Sequence, residues 1–254
     1  MKVSIITITY NSAKTVEETI QSVMSQDYQN IEYIIIDGAS TDTTKDIISS
    51  YNDSITTFVS EPDNGLYDAL NKGLKHASGD IVGFLHSDDF YYDNSVVSQI
   101  VAGFDQDEKI DAVYGDLVYV NQENVDKTVR YWISGQYSKS KLKFGWMPPH
   151  PTFYARLEVY KKYGGFNTSY KISADYDSIL RYLGKNNIFC HYVPEIFIKM
   201  RNGGVSNRSI RNIIQKTKED YLALKENNVG SIFTVILKNI LKVSQFFSRK
   251  LNEK

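Results

Sequence analysis

Ile31-Glu32-Tyr33-Ile34-Ile35-Ile36-Asp37-Gly38 is a nearly continuous apolar run that stops at an acid and a glycine. A strand covered on both faces reads this way, because helices above and below a parallel sheet leave no face for polar alternation. Toward the N-terminus, Val3 to Thr9 is rich in β-branched residues and runs into the turn-type cluster Tyr10-Asn11-Ser12, which marks another strand. Between the two, Val16, Ile20, Val23 and Met24 recur at three and four residues, and Thr15 and Glu18 have capping-box spacing. That stretch is predicted to be a helix with one buried face.

Toward the C-terminus the pattern repeats. Thr41 to Ser50 predicts a helix, Ile55 to Ser60 a strand, Leu66 to His76 a helix with Leu66, Ala69, Leu70, Gly73 and Leu74 on one side, Ile81 to Leu85 a strand, and Asn94 to Phe104 a helix. This alternation predicts a doubly wound α/β fold with a mostly parallel central sheet flanked by helices. Past about residue 110 the texture changes: Ala112 to Val120 and Val129 to Ile133 read as strands, Tyr154 to Tyr163 and Asp175 to Gly184 as helices, with Gly164-Gly165 as a stop between them. No repeat or low-complexity linker interrupts the chain, so residues 1–225 form one domain, followed by a tail over 226–254.

Composition narrows the function. With 254 residues, 42% hydrophobic and 23% charged, the chain can bury a sizeable core. Its 29 lysines and arginines against 30 aspartates and glutamates leave a net charge of -1, with no global field to draw in a nucleic-acid backbone. A single cysteine, Cys190, excludes an internal disulfide and a Cys-rich zinc site and fits a reducing cytoplasm. The N-terminus has one basic residue but no uninterrupted apolar core of an export signal, and reads as a strand.

In open sheets of this kind ligands bind outside the carboxyl ends of the strands. Three such ends are polar: Thr9-Tyr10-Asn11, Asp37-Gly38-Ala39-Ser40-Thr41-Asp42, and His86-Ser87-Asp88-Asp89. A hard cation takes one or two carboxylates plus phosphate oxygens, so Asp88 and Asp89 are candidate ligands for Mg2+ or Mn2+ carrying a diphosphate. The same acids also suit a turn or a helix cap, as do Asp37-Gly38 and the hydroxyls that follow. There is no Gly-x-Gly-x-x-Gly after the first strand and no Walker-type lysine, which argues against a dinucleotide oxidoreductase and a P-loop enzyme.

Taken together, these stretches resemble the inverting family-2 glycosyltransferases, which have a GT-A fold and use a nucleotide-diphosphate sugar. The resemblance is carried by residues 3–11, by 34–44, by Glu61-Pro62-Asp63-Asn64-Gly65-Leu66-Tyr67-Asp68, by Ala77-Ser78-Gly79-Asp80 and by Phe84 to Asp89. It resumes at Pro149-His150-Pro151, Gly164-Gly165-Phe166 and Ser173-Ala174-Asp175-Tyr176-Asp177. It implies a nucleotide-binding half over about 1–110 and an acceptor half over 111–225. Thr9, Tyr10 and Asn11 are then the wall of a nucleotide pocket, Asp37 accepts a hydrogen bond from a uracil N–H, Asp88 contacts the ribose or the metal shell, and Asp89 is the principal metal ligand. Asp63, Asn64, Asp68 and Lys72 shape the donor-sugar end, His150 the acceptor pocket, and Arg201, in a glycine-bearing loop over 201–206, neutralises phosphate charge.

Inverting transfer needs a base for the acceptor hydroxyl. The resemblance places Asp175 there, with Asp177 in reserve, although Ala174 stands where an acid is common and His86 where some members carry another. The function implied is metal-dependent transfer of a hexosyl or N-acetylhexosaminyl group from a UDP-sugar to a hydroxyl of a glycan or lipid-linked glycan, in bacterial surface polysaccharide synthesis. Two rivals remain. A sugar nucleotidylyltransferase lacks its Gly-rich basic loop here, and a non-catalytic glycan-binding or scaffold protein draws support from Ala174 and His86.

From Ser231 to Leu251, apolar Phe233, Ile236, Leu237, Ile240, Leu241, Val243, Phe247 and Leu251 are set against Lys238, Lys242, Arg249 and Lys250. Residues 225–254 carry six basic and two acidic side chains. The lysines interrupt the run too early for a span, so the segment is suited to lie on an anionic membrane surface at the inner face of the cell membrane; packing on its own domain or on a partner subunit is the alternative.

Overall fold

A computed structural model describes residues 1–203 and 210–244, the side chains of residues 210 and 241–244 excepted. The first four strands form the parallel half of one sheet: β1 (Val3–Thr9), β2 (Ile31–Asp37), β3 (Thr57–Ser60) and β4 (Ile81–Phe84), ordered β3-β2-β1-β4. β1 and β2 run in register from Val3↔Ile31 to Thr9↔Asp37, which brings the ends of both strands to one level. Alternate residues serve opposite faces: Ile6, Ile8, Ile34 and Ile36 enter one core, while Val3, Ile5, Tyr33 and Ile35 enter the other. Helix α1 (Val16–Met24) packs Val16, Ile20 and Val23 into the second core, and α3 (Leu66–His76) packs Tyr67, Ala69 and Leu70 into the first. Between them lies the short α2 (Thr44–Ser49).

Local differences from expectation have local reasons. Thr15 stands at the start of α1, yet its side chain makes no capping bond, and Met24 and Leu66 are exposed. The helix expected from Tyr154 splits into a three-residue strand and a helix, because Ala155 pairs with both Val82 and Ala112 and thereby bridges the parallel half to the rest of the sheet. In the second half β5 (Asp89–Tyr91), α4 (Val96–Phe104), β6 (Ala112–Val120), β7 (Thr128–Trp132), α5 (Lys139–Leu142), β8 (Tyr154–Arg156) and α6 (Leu157–Tyr163) are followed by α7 (Ala174–Ile179), which widens into a π-helical stretch over Leu180–Lys185.

One long strand was not expected: β9 (Cys190–Arg201) runs parallel to β6 and antiparallel to β5. Pro194 and Glu195 break its alternation, and the ladder with β6 shifts register twice near Asp116, opposite that break. Beyond it α8 (Ile210–Glu226) and α9 (Ile232–Ser244) fold back over the acceptor half. Thr234 and Val235 of α9 are buried, and the Thr234 hydroxyl donates to the Lys143 carbonyl at 2.8 Å. Gly145 has φ +84°, and a Cβ there would lie 2.6 Å from the Lys238 Cα, so the absence of a side chain lets α9 seat this closely. The alternative reading, packing on its own domain, therefore describes the part of the tail within the described residues; Phe247, Arg249, Lys250 and Leu251 lie outside them, as do the side chains of Leu241, Lys242 and Val243 and residues 204–206 of the expected loop. Among the described residues no helix is long and apolar enough to cross a membrane.

Candidate active site

The ends of β1 and β4, the start of α3, the 145–151 segment and helices α7 to α9 enclose a cavity of about 1010 Å3. Of the residues expected at a site, Thr9, Tyr10, Asn11, Asp63, Asp88, His150 and Asp175 border it. Asp37, Asn64, Asp68, Lys72, Asp89, Asp177 and Arg201 do not.

The nucleotide-side wall is a network of short polar side chains. The Asn11 backbone has φ +50°, and its Oδ1 accepts from the Thr41 N–H at 2.9 Å, while the Asn11 N–H donates to Ser40 Oγ at 2.8 Å. Ser40 in turn donates its N–H and its hydroxyl to Asp37, and Ser60 donates its hydroxyl at 2.6 Å. Asp37 is thus fully buried with both carboxylate oxygens engaged, behind the wall rather than on it. A Cβ on Gly38 would collide with the Asp63 carboxylate, so glycine lets Asp63 reach the wall that Asp37 stands behind. Tyr10, 61% exposed, presents its ring to the cavity, and the buried Thr9 hydroxyl has no hydrogen-bond partner.

Five other expected site residues lie off the cavity. Lys72 donates to the Pro62 carbonyl at 2.7 Å and pairs with Glu61, and Asp68 accepts the Asn64 N–H, so these three brace the 61–68 loop from outside the cavity. Arg201 is buried, donating to the Asp88 carbonyl at 2.7 Å and pairing with Glu18; it fixes the backbone that carries Asp88. Asp177 accepts from Asn227 Nδ2 at 2.8 Å and pairs with Arg181 at 3.5 Å, a structural tie between α7 and the end of α8.

The adjacent acids separate. Asp88 is exposed on the wall, whereas Asp89 is fully buried beneath it, the reverse of the expected ranking. Neither Asp89 oxygen has a hydrogen-bond partner, and burial, with the Asp88 charge adding to it, pushes its pKa well above the ordinary carboxylate value. An exposed carboxylate next to a partnerless one is an oxygen donor set that fits a hard divalent cation. Among the described residues no three His, Cys, Asp or Glu side chains converge on one point, so the remaining ligands are left to phosphate and water.

Across the cavity lies Asp175, in the first turn of α7. Burial raises its pKa, with Lys238 and Lys216 opposing the rise and Asp220 adding to it. Tyr67 holds it loosely, donating to the Ile172 carbonyl at 2.7 Å and reaching Asp175 Oδ1 at 3.3 Å. His150 stacks near Phe84 and Phe166 with its ring 6.1 Å from that of His86, and burial, with the neighbouring imidazole, pulls its pKa down to about 3. Burial also lowers the His86 pKa, with the charges of Asp88 and Asp175 opposing the fall.

Sequence reasoning missed two anchors. Glu219 on α8 accepts the N–H groups of Lys171, Ile172 and Ser173 at 2.8 to 3.0 Å, securing the segment that launches α7. Lys238 on α9 lies inside the cavity, not on the tail's outer face. Neither has a local signal, since each acts on residues far away in the chain. The apolar positions beside Lys238 were the one hint, because Phe233, Ile236, Leu237 and Ile240 are the face left exposed.

The model of a family described as Glycosyl transferase family 2 matches residues 4–171. An uncharacterized glycosyltransferase of Mycobacterium tuberculosis is 32% identical over 186 residues, 70% of this chain and 68% of that protein. Among solved structures, S. aureus TarS 1-349 in complex with UDP-GlcNAc superposes with a TM-score of 0.69 at 20% identity, covering 89% of this chain and 65% of that one, just under two-thirds of its length. The mannosyltransferase PcManGT from Pyrobaculum calidifontis, in complex with GDP-Man and Mn2+, superposes at 0.66 with 21% identity over 98% of this chain and 70% of that one. At these identities the two structures speak to the fold, which is the GT-A type the sequence resemblance implies.

Proposed function

The chain belongs to glycosyl transferase family 2, and from that premise we propose that it moves a sugar from a nucleoside-diphosphate donor to a hydroxyl of a glycan or lipid-linked glycan, with inversion at the anomeric carbon. One observation carries the reading: a single cavity joins the Thr9-Tyr10-Asn11 wall and Asp88 to a carboxylate of raised pKa, Asp175, on the far side. A base whose pKa is lifted toward neutrality is better matched to taking a hydroxyl proton. The acceptor oxygen attacks the anomeric carbon as its proton passes to Asp175, and the bond from that carbon to the diphosphate oxygen breaks, so the nucleoside diphosphate departs with the bonding electrons.

Tyr10 offers a ring for the base, and Asp63 a carboxylate on the same wall. Asp37 accepts a uracil N–H only by releasing a Ser40 or Ser60 hydroxyl, and otherwise acts by fixing Ser40. A divalent cation, Mn2+ or Mg2+, held by Asp88 with Asp89 behind it, supplies charge for the diphosphate when bound. The exposed apolar face of α9, Phe233, Ile236, Leu237 and Ile240, suits contact with a bilayer bearing the acceptor.

The test is a thermal-shift screen of UDP-GlcNAc, UDP-glucose and GDP-mannose with each cation, because a ligand that binds only the folded state raises Tm. Release of UDP with a glycan acceptor is the expected product. Formation of pyrophosphate from a sugar phosphate and a nucleoside triphosphate would instead identify a nucleotidylyltransferase, and no shift with any of the donors would reject the assignment.

A further inference from the structure

The acceptor-side wall contains charged groups that the transfer reaction as described does not use. Lys238 Nζ lies 3.0 Å from Asp220 Oδ2, which also takes Lys216 Nζ at 2.8 Å. Asp220 is fully buried, and the Lys238 side chain retains 13% exposure. The Lys238 ammonium sits 3.1 Å from the centroid of the Tyr176 ring, one residue along from Asp175. All five residues border the cavity, and the seating of α9 on Gly145 holds the lysine there.

A lysine this buried is costly to keep charged unless its neighbours repay it. Its pKa is pulled down to about 8, burial being the main cause and Lys216 adding to it, with Asp220 and Asp175 opposing. Asp175 has the complementary difficulty. Desolvated and beside Asp220 it would drift toward the neutral acid, and a protonated carboxyl cannot accept a proton.

We propose that Lys238, supported by Lys216 and ranged against Asp220, is a positioning residue that keeps Asp175 ionised on the cavity wall and so ready for the acceptor proton. This rests on the reading of Asp175 as the base and adds a means of setting it. The groups that act on Asp175 are the Tyr67 hydroxyl from α3, the His86 imidazole after β4, the Tyr176 backbone N–H on α7, Lys216 and Asp220 on α8, and Lys238 on α9. Only the two lysines are cations. Asp220 is the lone carboxylate among them, and α8 and α9 thus supply both signs of the adjustment.

The signs can be measured without substrate. In the full chain labelled with 13C at aspartate carboxyls, the Asp175 resonance is assigned by its loss in Asp175→Asn and followed with pH. Lys238→Met removes a cation and should raise the Asp175 midpoint by about one pH unit. Lys238→Arg should leave it near that of the unaltered chain, and Asp220→Asn should lower it. An Asp175 midpoint that does not move in Lys238→Met overturns the proposal. If that variant does not fold, Lys216→Met, at a half-buried position, carries the same upward prediction at smaller amplitude and the same power to overturn it. Turnover is read separately: UDP release from UDP-GlcNAc at an unchanged rate in Asp175→Asn ends the base reading, whatever the titration shows.

Discussion

Two carboxylates on opposite sides of the cavity, Asp37 behind the strand-end wall and Asp175 on the helical one, are held in opposite ways. Asp37 takes three donors from Ser40 and Ser60, and Glu32, deeper in the same sheet, takes Lys2, Ser4 and Ser78. On the helical wall Asp175 has a long contact from Tyr67 and a bond from the Tyr176 backbone N–H, and is otherwise set by lysines and an acid acting through space. A carboxylate filled with donors holds a shape. One with fewer donors, facing a cavity, can take up a proton, and it depends on distant packing to remain charged.

The largest test of that contrast is Asp175→Asn, which keeps size and removes basicity. It should cost about 10^2- to 10^4-fold in transfer with unchanged circular dichroism, measured with whichever donor the thermal screen identifies; a loss below tenfold would erase the distinction between the walls. Next is Asp88→Asn. The wall on which it stands should then lose the cation-dependent part of nucleotide binding, so that titration calorimetry with UDP gives the same affinity with Mn2+ and with EDTA.

A purely architectural change on the helical side comes third. Glu219→Gln puts an amide against three backbone N–H donors and should destabilise the chain by about 2 kcal/mol, roughly 4–8 °C in Tm, and lower turnover by displacing α7. Tyr10→Ala, on an exposed ring, should leave Tm in place and weaken UDP binding about tenfold, in the range expected for base stacking. The smallest effect concerns pH. Burial alone would raise the Glu32 pKa, but the bonds from Lys2, Ser4 and Ser78 outweigh it and bring it from 4.5 down to about 2. Its stabilisation is therefore complete above pH 4.5 and is lost as pH falls toward about 2. Glu32→Gln should flatten the acid limb of the Tm profile there and leave the neutral-pH pocket alone.

What the sequence revealed follows the same division. β1, α1, β2 and α3 are written in local periodicity, and the strand ends bring Thr9, Tyr10, Asn11 and Asp88 to the border of one cavity, because a strand end in a parallel sheet points at the ligand side by geometry. Asp37 was legible as a residue of that edge but not as one already satisfied, since Ser60 reaches it from a different strand. β9 was hidden by Pro194 and Glu195, and β8 by being three residues long between good helix formers. Asp177 carries the same chemistry as Asp175 two positions away, and only the turn of α7 toward Asn227 and Arg181 separates a structural tie from a carboxylate that borders the cavity. Glu219 and Lys238 reach the site across 44 or more residues of chain, which no window-based pattern records.

The seating of α9 on Gly145 has a consequence for biosynthesis. A nascent chain emerging from the ribosome carries the strand-end residues through Asp88 about 150 residues before Lys238 is added. If the proposed roles hold, the donor side is assembled well before Asp175 is tuned, an order that would disfavour hydrolysis of activated sugar by unfinished chains. Pulsed translation stalled at about residue 200, compared with released protein for UDP release from UDP-GlcNAc, would show whether competence arrives with α9.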